Sequence, residues 1–446
     1  RGTVLGAGIG ILVGLVIAGL PIWIALTVGA IFLTFFFMDM PSVSVPMTMF
    51  GSIDSFVLLA VPFFLLAGNV MAYCGPARYI YEAVDSLVGH IKGGMAFTTV
   101  LTCMVYAAIT GSTTATLAGV SALATPPMLR AGYSREFIAG LLSVSSTLGQ
   151  MIPPSILMIL YGALAQQNAG ALFIAGIVPG VLIGLALGVT GMLLSRDRQQ
   201  GVGARRTWGE RGAAMTKAFP ALLMPIIVLG GIYGGVFTPT EAAAVACVYG
   251  LAVSILVYRQ ITWHNFYHEA VRGAVANSSM IFLLVAAALL FTSPLAFARL
   301  PQEVAAWTIA AGLGQMELIL VVTLLWLIMG MFLDPLPIMY LTVPVVLPAL
   351  NAAGVDLIYM NVVLILAMQI AQVTPPFGIS LYVSSGIMGV PVVRVVRASL
   401  PFLAVLLVCL VLLILFPQIS LFLPELMGRW RLARTGRPAI DGARPA

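Results

Sequence analysis

The chain has 446 residues, of which 61% are hydrophobic and only 8% charged, with a mean hydropathy of +1.09. Soluble domains carry roughly 25% charged residues, so a water-soluble core is excluded, and uncharged stretches at 2–38, 93–129, 137–195, 273–298, 357–393 and 398–424 exceed the ~20 residues of a membrane-crossing helix. The net charge of +6 resides mainly in loop and tail arginines and implies orientation in lipid, not nucleic-acid binding.

In chain order the pattern predicts an all-α polytopic membrane protein of ten crossings and two hairpins that do not cross. The first repeat occupies 1–196, with crossings at 2–20, 22–38 and 52–73, a hairpin over about 95–129, a crossing at 137–169 broken by Pro153-Pro154, and a crossing at 171–195. A basic cytoplasmic loop over 197–217 follows. The second repeat, 218–424, has crossings at 220–237, 240–258 and 273–298, a hairpin over about 317–350, a crossing at 357–390 broken by Pro375-Pro376, and a crossing at 398–424. A basic tail covers 425–446.

The division into repeats rests on an ungapped echo. The run Q-M-I-P-P-S from Gln150 returns 222 positions later as Q-V-T-P-P-F from Gln372. The same offset pairs Pro126 with Pro348, Ala131-Gly132 with Ala353-Gly354, Ser134 with Asp356 and Leu142 with Leu364. Five crossings per repeat is an odd number, so the repeats are inverted relative to one another, an arrangement many secondary transporters use. Charge tests that parity. If Arg196, Arg198, Arg205, Arg206, Arg211 and Lys217 are cytoplasmic, so are 74–94, 130–135, 259–272 and 394–397; these five loops hold 14 of the 21 Lys and Arg residues, and the opposite loops only Arg1 and Arg299. The positive-inside rule agrees. The tail arginines (Arg429, Arg431, Arg434, Arg437, Arg444) do not follow the count. The chain opens on Arg and shows no legible signal peptide.

The first hairpin centres on G-S-T-T-A-T-L-A-G, Gly111 to Gly119, which turns the chain and offers hydroxyls and carbonyls; close helix packing through small residues is the plainer reading. The proline pairs favour the first reading. Each lacks amide hydrogens and frees carbonyls about one turn upstream. Irregular backbone at bilayer depth survives only where it is buried or lines a cavity. Opposed to a hairpin tip, those carbonyls make an all-oxygen cage for a small hard cation, while the following half-helix presents its positive end to an anion. In the second hairpin G-M-F-L-D-P spans Gly330 to Pro335, and Asp334 falls on Ser112 in the register. Asp334 is either an intramembrane acid with a function or the cap of a helix begun by Pro335.

Other polar residues read as structural. Thr238 to Glu241, T-P-T-E, has the form of a capping box. Arg130, Arg135 and Glu136 anchor helix ends. His90, His264 and His268 lie near charged loops, the last two as an i, i+4 pair on an interfacial helix, and Cys74, Cys103, Cys247 and Cys409 are scattered packing residues.

At A-V-P-F-F-L-L-A-G (60–68), T-G-S-T-T-A-T (110–116), G-Q-M-I-P-P-S (149–155), L-F-I-A-G-I-V-P-G (172–180), G-V-F-T-P-T-E-A-A-A (235–244), G-M-F-L-D (330–334) and T-P-P-F-G (374–378), the chain resembles the large membrane subunit of a tripartite ATP-independent periplasmic (TRAP) transporter. It departs after Asp356, where the family usually has an aromatic-glycine pair and this chain has Met360-Asn361. The resemblance implies a sodium-coupled importer of organic acids in the bacterial inner membrane. It also implies a periplasmic binding protein that delivers substrate, a small four-helix membrane subunit, and an elevator motion of hairpins and broken helices against the rest. Carried over by motif, one sodium site uses Gly111, Ser112 and Thr113 with Ile152-Pro153. The other uses Gly330 and Asp334 with Thr374, Pro375 and Gly378, and substrate lies between the tips near Thr114 and Ser155.

A single Na⁺ moving down about 100 mV releases roughly 2.3 kcal/mol, so two or more support accumulation of an anion; no G-x-x-x-x-G-K-[ST] loop for ATP occurs. A stand-alone carboxylate/cation symporter or antiporter of similar fold, an intramembrane enzyme and a channel are the competing readings. C4-dicarboxylates, sialic acid and similar carboxylates all fit as cargo.

Overall fold

A computed structural model describes residues 2–74, 76–195, 206–376 and 378–435, and these are helical throughout, with no strand among them. Arg1, Arg196, Arg198, Arg205, Arg437 and Arg444, which carry part of the charge argument, lie outside the described residues.

The chain begins with α1 (Gly2–Ile17), α2 (Ile22–Phe36) and α3 (Ser44–Ile53). A 3₁₀ turn (Phe56–Leu59) runs into α4 (Ala60–Tyr73), then α5 (Pro76–Val88). The helices α6 (Gly94–Thr110) and α7 (Thr113–Arg130) form a hairpin. Next come α8 (Arg135–Ser145) with a 3₁₀ turn (Ser146–Gln150), α9 (Ile156–Ala165) and α10 (Ala169–Ser195). The later part holds α11 (Trp208–Tyr233), α12 (Pro239–Ala252) with a π-helical turn (Val253–Tyr258), and a second such turn (His264–Val271) leading into α13 (Arg272–Phe297) and α14 (Leu300–Ala310). A second hairpin, α15 (Gln315–Gly330) and α16 (Pro335–Ala352), precedes α17 (Leu357–Gln372), α18 (Ile379–Met388), α19 (Val392–Leu415) and α20 (Gln418–Thr435).

Among the described residues seven helical stretches are long and apolar enough to cross a membrane: Phe56–Tyr73, Ala169–Ser195, Trp208–Tyr233, Pro239–Tyr258, His264–Phe297, Pro335–Ala352 and Val392–Leu415. Others, α9, α17 and α18 among them, are apolar but only 10–17 residues long, too short to cross alone.

The 222-residue register is kept by the backbone. Helices α7 and α16 differ by 222 at both ends, as do 135–150 and 357–372. Each hairpin leaves its second helix the same way. Gly132 and Gly354 adopt φ of 88° and 69°, which a side chain would resist, and the next amides, Tyr133 and Val355, donate back to Met128 and Leu350 carbonyls at 3.1 and 2.9 Å. That is a glycine-terminated helix end. Ser134 and Asp356 then cap the following helices: Ser134 Oγ accepts from the Phe137 amide at 3.3 Å, and Asp356 Oδ1 from the Ile358 and Tyr359 amides at 2.8 and 2.9 Å.

The two broken helices interlock and run antiparallel. Ser143 on α8 bonds Ser384 on α18 through their hydroxyls, and Arg135, at the start of α8, donates to the Met388 carbonyl at the end of α18 (3.3 Å). In reciprocal fashion, Tyr161 on α9 donates to the Leu357 carbonyl at the start of α17 (3.0 Å). Each post-break helix therefore packs against the other repeat's pre-break helix. Small residues permit close packing around them: a Cβ at Gly119 would lie 2.7 Å from the Tyr106 hydroxyl, and one at Gly188 2.8 Å from the Phe97 ring.

Several boundaries differ from the sequence reading. Helix α11 starts at Trp208, not 220, because Thr207 and Glu210 form a capping box; 208–217 is helix, and the basic loop ends before it. The segment 74–94 contains α5, whose Ala77, Ile80 and Ala83 are buried while Arg78 pairs with Glu82 at 2.7 Å on the exposed side, an amphipathic pattern that a search for uncharged runs passes over. The segment 259–272 is likewise largely a π-helical turn continuous with α13. The single crossing at 398–424 is two helices, because Pro417 cannot donate and Phe416 before it leaves helical geometry at φ −126°, ψ 76°. The tail is helical as far as Thr435. The capping box at Thr238–Glu241 is present with both of its bonds.

Candidate functional site

In the first repeat the hairpin tip sits in the helix break. Gly111 ends α6 at φ 61°, and a Cβ there would lie 2.6 Å from the Pro154 carbonyl oxygen and 3.7 Å from the Ile156 amide. On the other side of the break, a Cβ at Gly149 would lie 2.7 Å from the Ser112 carbonyl oxygen and 3.1 Å from Thr116 Oγ1. Two backbones thus meet where only glycine lets them. Ile152 is half-buried, and Pro153, Pro154 and Ser155 are buried. Ser112 Oγ lies 3.2 Å from Thr114 Oγ1, and Thr110 Oγ1 3.0 Å from Thr116 Oγ1. The hydroxyls of Thr113 and Ser155 are buried without a hydrogen-bond partner.

The second repeat makes the same approach more openly. Gly330 at the end of α15 packs so closely on Ala371, the register partner of Gly149, that a Cβ at Gly330 would collide with the Ala371 methyl. Pro375 and Pro376 are exposed, whereas their counterparts are buried. Gly378 is buried and folds back, its Cβ position 3.0 Å from the Gln372 carbonyl oxygen. Thr374 Oγ1 donates to the Ile370 carbonyl at 2.6 Å, which leaves its oxygen lone pairs free to accept. A cleft of about 240 Å³ opens between Gly330 and Asp334 of the tip, Gln372 and Ile379 of the break, and Ile22 at the start of α2. Asp334 occupies the cap position of α16, with Pro335 as first helical residue, but its side chain makes no capping bond. Asp334 lines the cleft instead. The two alternatives raised by the sequence separate here: the position is a cap, the side chain is not.

The residues expected at one cation site, Gly111, Ser112, Thr113, Ile152 and Pro153, are thus brought to one contact. Of those expected at the other, Gly330 and Asp334 line the cleft, Gly378 folds back onto Gln372 and Thr374, and Thr374 and Pro375 lie in the adjoining break but do not line the cleft. Thr114 and Ser155 are not alike: Thr114 is exposed and Ser155 completely buried. The tip and break segments, 111–116, 149–156, 330–335 and 371–379, contain no Lys or Arg. Their chemistry is oxygen-rich, uncharged in the first repeat and singly acidic in the second, which suits a small cation and not a bound anion alone. His264 and His268 stack at 5.1 Å far along the chain from both sites, and no group of three His, Cys, Asp or Glu assembles among the described residues. Sequence reasoning used Gln150 and Gln372 only as the start of the echo and gave them no role at a site, since an amide in an apolar run does not by itself signal a ligand; each buries a side-chain oxygen with no partner.

The family model of the tripartite ATP-independent periplasmic transporter, DctM component, matches residues 9–419. The chain belongs to that family. The large C4-dicarboxylate TRAP permease DctM of Pseudomonas aeruginosa is 38% identical over 385 residues, covering 86% of this chain and 90% of that one. The large sialic acid TRAP permease SiaM of Vibrio cholerae is 34% identical over 417 residues, covering 93% and 96%. Among solved structures the YdaH transporter of Alcanivorax borkumensis aligns with a TM-score of 0.62 at 16% identity, over 84% of this chain and 88% of that one. MtrF of Neisseria gonorrhoeae aligns at 0.54 and 11%, over 83% and 82%. At such identities the likeness is one of fold. As a large TRAP permease subunit, the chain is a multi-pass membrane transporter component and not an enzyme.

Proposed function

We propose that this permease imports a small organic acid across the bacterial inner membrane in symport with Na⁺, taking it from a periplasmic binding protein and working beside a small four-helix membrane subunit. The single observation that carries the reading is the pairing of a hairpin tip with a proline break in both repeats, in one register, on broken helices that run antiparallel. Equivalent elements pointing in opposite directions are what inverted repeats of five crossings each produce. Relatives are named for C4-dicarboxylate, sialic acid and ectoine. A permease named for isethionate, DctMQ of Oleidesulfovibrio alaskensis, is 35% identical over 91% of this chain and 64% of its own length. Those names support an organic acid as cargo.

In this reading Na⁺ binds where each tip meets its break, at Gly111, Ser112, Thr113, Ile152 and Pro153 in one repeat and at Gly330, Asp334, Thr374, Pro375 and Gly378 in the other. Substrate lies between the tips, against the exposed Thr114, and reaches the buried Ser155 only when the first tip withdraws. The bonds between α8 and α18 and between α9 and α17 tie the two broken helices together; with the hairpin tips seated on their breaks, they form the block that in this reading moves as an elevator past the remaining helices. No ATP is consumed. Uptake into proteoliposomes holding the permease and its small subunit, with binding protein outside, tests the assignment: Ser112→Ala with Thr374→Ala cuts Na⁺-driven uptake at least tenfold. Unchanged uptake would remove these sites, and uptake by this chain alone would favour a stand-alone symporter.

A further inference from the structure

Each pre-break helical segment ends, three residues before its proline pair, on a glutamine to which the sites above give no part. Gln150 is the last residue of the turn after α8, and Gln372 the last of α17; they are 222 positions apart. Each is 8% exposed, and the Oε1 of each is buried and accepts no hydrogen bond. A buried carbonyl oxygen without a donor forfeits its hydration and gains nothing in return, and few buried polar groups in folded proteins are left so. Two of them at equivalent positions mark a shared requirement.

The surroundings say what would meet it. Gln150 adjoins Gly149, which abuts the Ser112 carbonyl, and the buried hydroxyls of Thr113 and Ser155 in the same contact also lack partners. Gln372 lines the cleft shared by Gly330 and Asp334, and its own backbone carbonyl is turned into the fold of Gly378. Oxygens gathered in this way, with no Lys or Arg in any of the four segments, are satisfied together by one hard cation, which takes several oxygen ligands at once.

We propose that Gln150 and Gln372 each supply a side-chain oxygen to one of the two cation sites, Gln372 in concert with the Asp334 carboxylate. This rests on the cation-coupled reading above and adds to it one ligand per repeat. A glutamine that merely packs, or one bridged by water, predicts a different response to substitution.

The test uses the full chain purified in detergent, its thermal midpoint followed as NaCl replaces choline chloride at constant ionic strength. The parent is stabilised by Na⁺. Gln150→Leu and Gln372→Leu, similar in volume and without the oxygen, each raise the Na⁺ concentration for half the effect at least tenfold. In choline alone they melt no lower than the parent, because the unsatisfied oxygen has gone. Gln150→Glu and Gln372→Glu, which keep an oxygen there, need no more Na⁺ than the parent. Should a leucine variant fail to purify, Gln372→Asn and Gln150→Asn draw the oxygen back by one carbon and raise the half-point likewise. A parent that responds to Na⁺ beside leucine or asparagine variants with an unaltered half-point overturns the glutamine assignment alone. A parent indifferent to Na⁺ overturns the cation reading itself.

Discussion

Gly330 gives the sharpest test of how the second tip meets its break. A Cβ there would collide with the Ala371 methyl, while its next neighbours, Ile338 Cδ1 at 3.7 Å and Ala371 Cα at 3.8 Å, stand at ordinary distances. Carbons pack at about 3.5–4.0 Å, so Gly330→Ala forces the tip and α17 apart by roughly 1 Å. Overpacking of this kind costs about 1–3 kcal/mol, and the better helix propensity of alanine returns at most ~1 kcal/mol. A net loss of about 1–2 kcal/mol lowers the tip's closed-to-open ratio roughly 5- to 30-fold, which is read as slower Na⁺-driven uptake in proteoliposomes and a lower melting midpoint. The collision is with one methyl, so removing it cures the fault. Ala371→Gly alone costs about 0.5–1 kcal/mol, yet Gly330→Ala/Ala371→Gly moves the methyl across the contact and recovers uptake to within about threefold of the parent. The double-mutant cycle therefore shows a favourable coupling of at least ~1 kcal/mol. A double variant no better than Gly330→Ala would mean that the tip does not rest on Ala371.

If hairpins and broken helices move as one block, a disulfide formed in Ser143→Cys/Ser384→Cys, between side chains already in contact, leaves uptake within about twofold of the reduced protein; oxidation that stops transport would show that α8 and α18 separate during the cycle. At the surface, Glu136 receives a hydrogen bond from its own amide and another from Arg394, 3.4 Å away. These hold its carboxyl below the usual range. A depressed folded-state value means that the stabilisation is present above about pH 4.3 and is lost as pH falls through the folded value. Because the pair is exposed it contributes no more than ~1 kcal/mol, so Glu136→Gln melts slightly below the parent at pH 7 and converges with it under acid conditions. A gap that persists at pH 3 would refute that origin.

Much of this architecture is written into the residues. Glycines and caps at 132–134 and 354–356 act locally, so the register they mark in the sequence reappears in the same turns and caps. T-P-T-E is similarly self-contained. Elements defined by contrast with water or lipid were harder to see: α5 carries charges on one face, and α11 begins among them, its Thr207–Glu210 signal hidden by a search for uncharged runs. The break at Pro417 was readable but lay inside an otherwise seamless apolar stretch. What no local pattern encodes is the difference between the repeats, where Pro153-Pro154 is enclosed and Pro375-Pro376 open. That depends on which helices happen to cover each loop. The orphaned oxygens of Gln150 and Gln372 are of the same kind, since only the assembled neighbours reveal that nothing donates to them.

The crossing over of α18 onto α8 has a bearing on biosynthesis. Ser384 is made 241 residues after Ser143, and at about 5–20 residues per second the earlier helix waits some ten to fifty seconds for the surface that will cover it. Each part thus leaves a face of its broken helix to be covered by the other. Separately expressed fragments divided near residue 205 would each display an unfinished seam to the translocon and its quality-control proteases, and would be expected to survive only when both are made together.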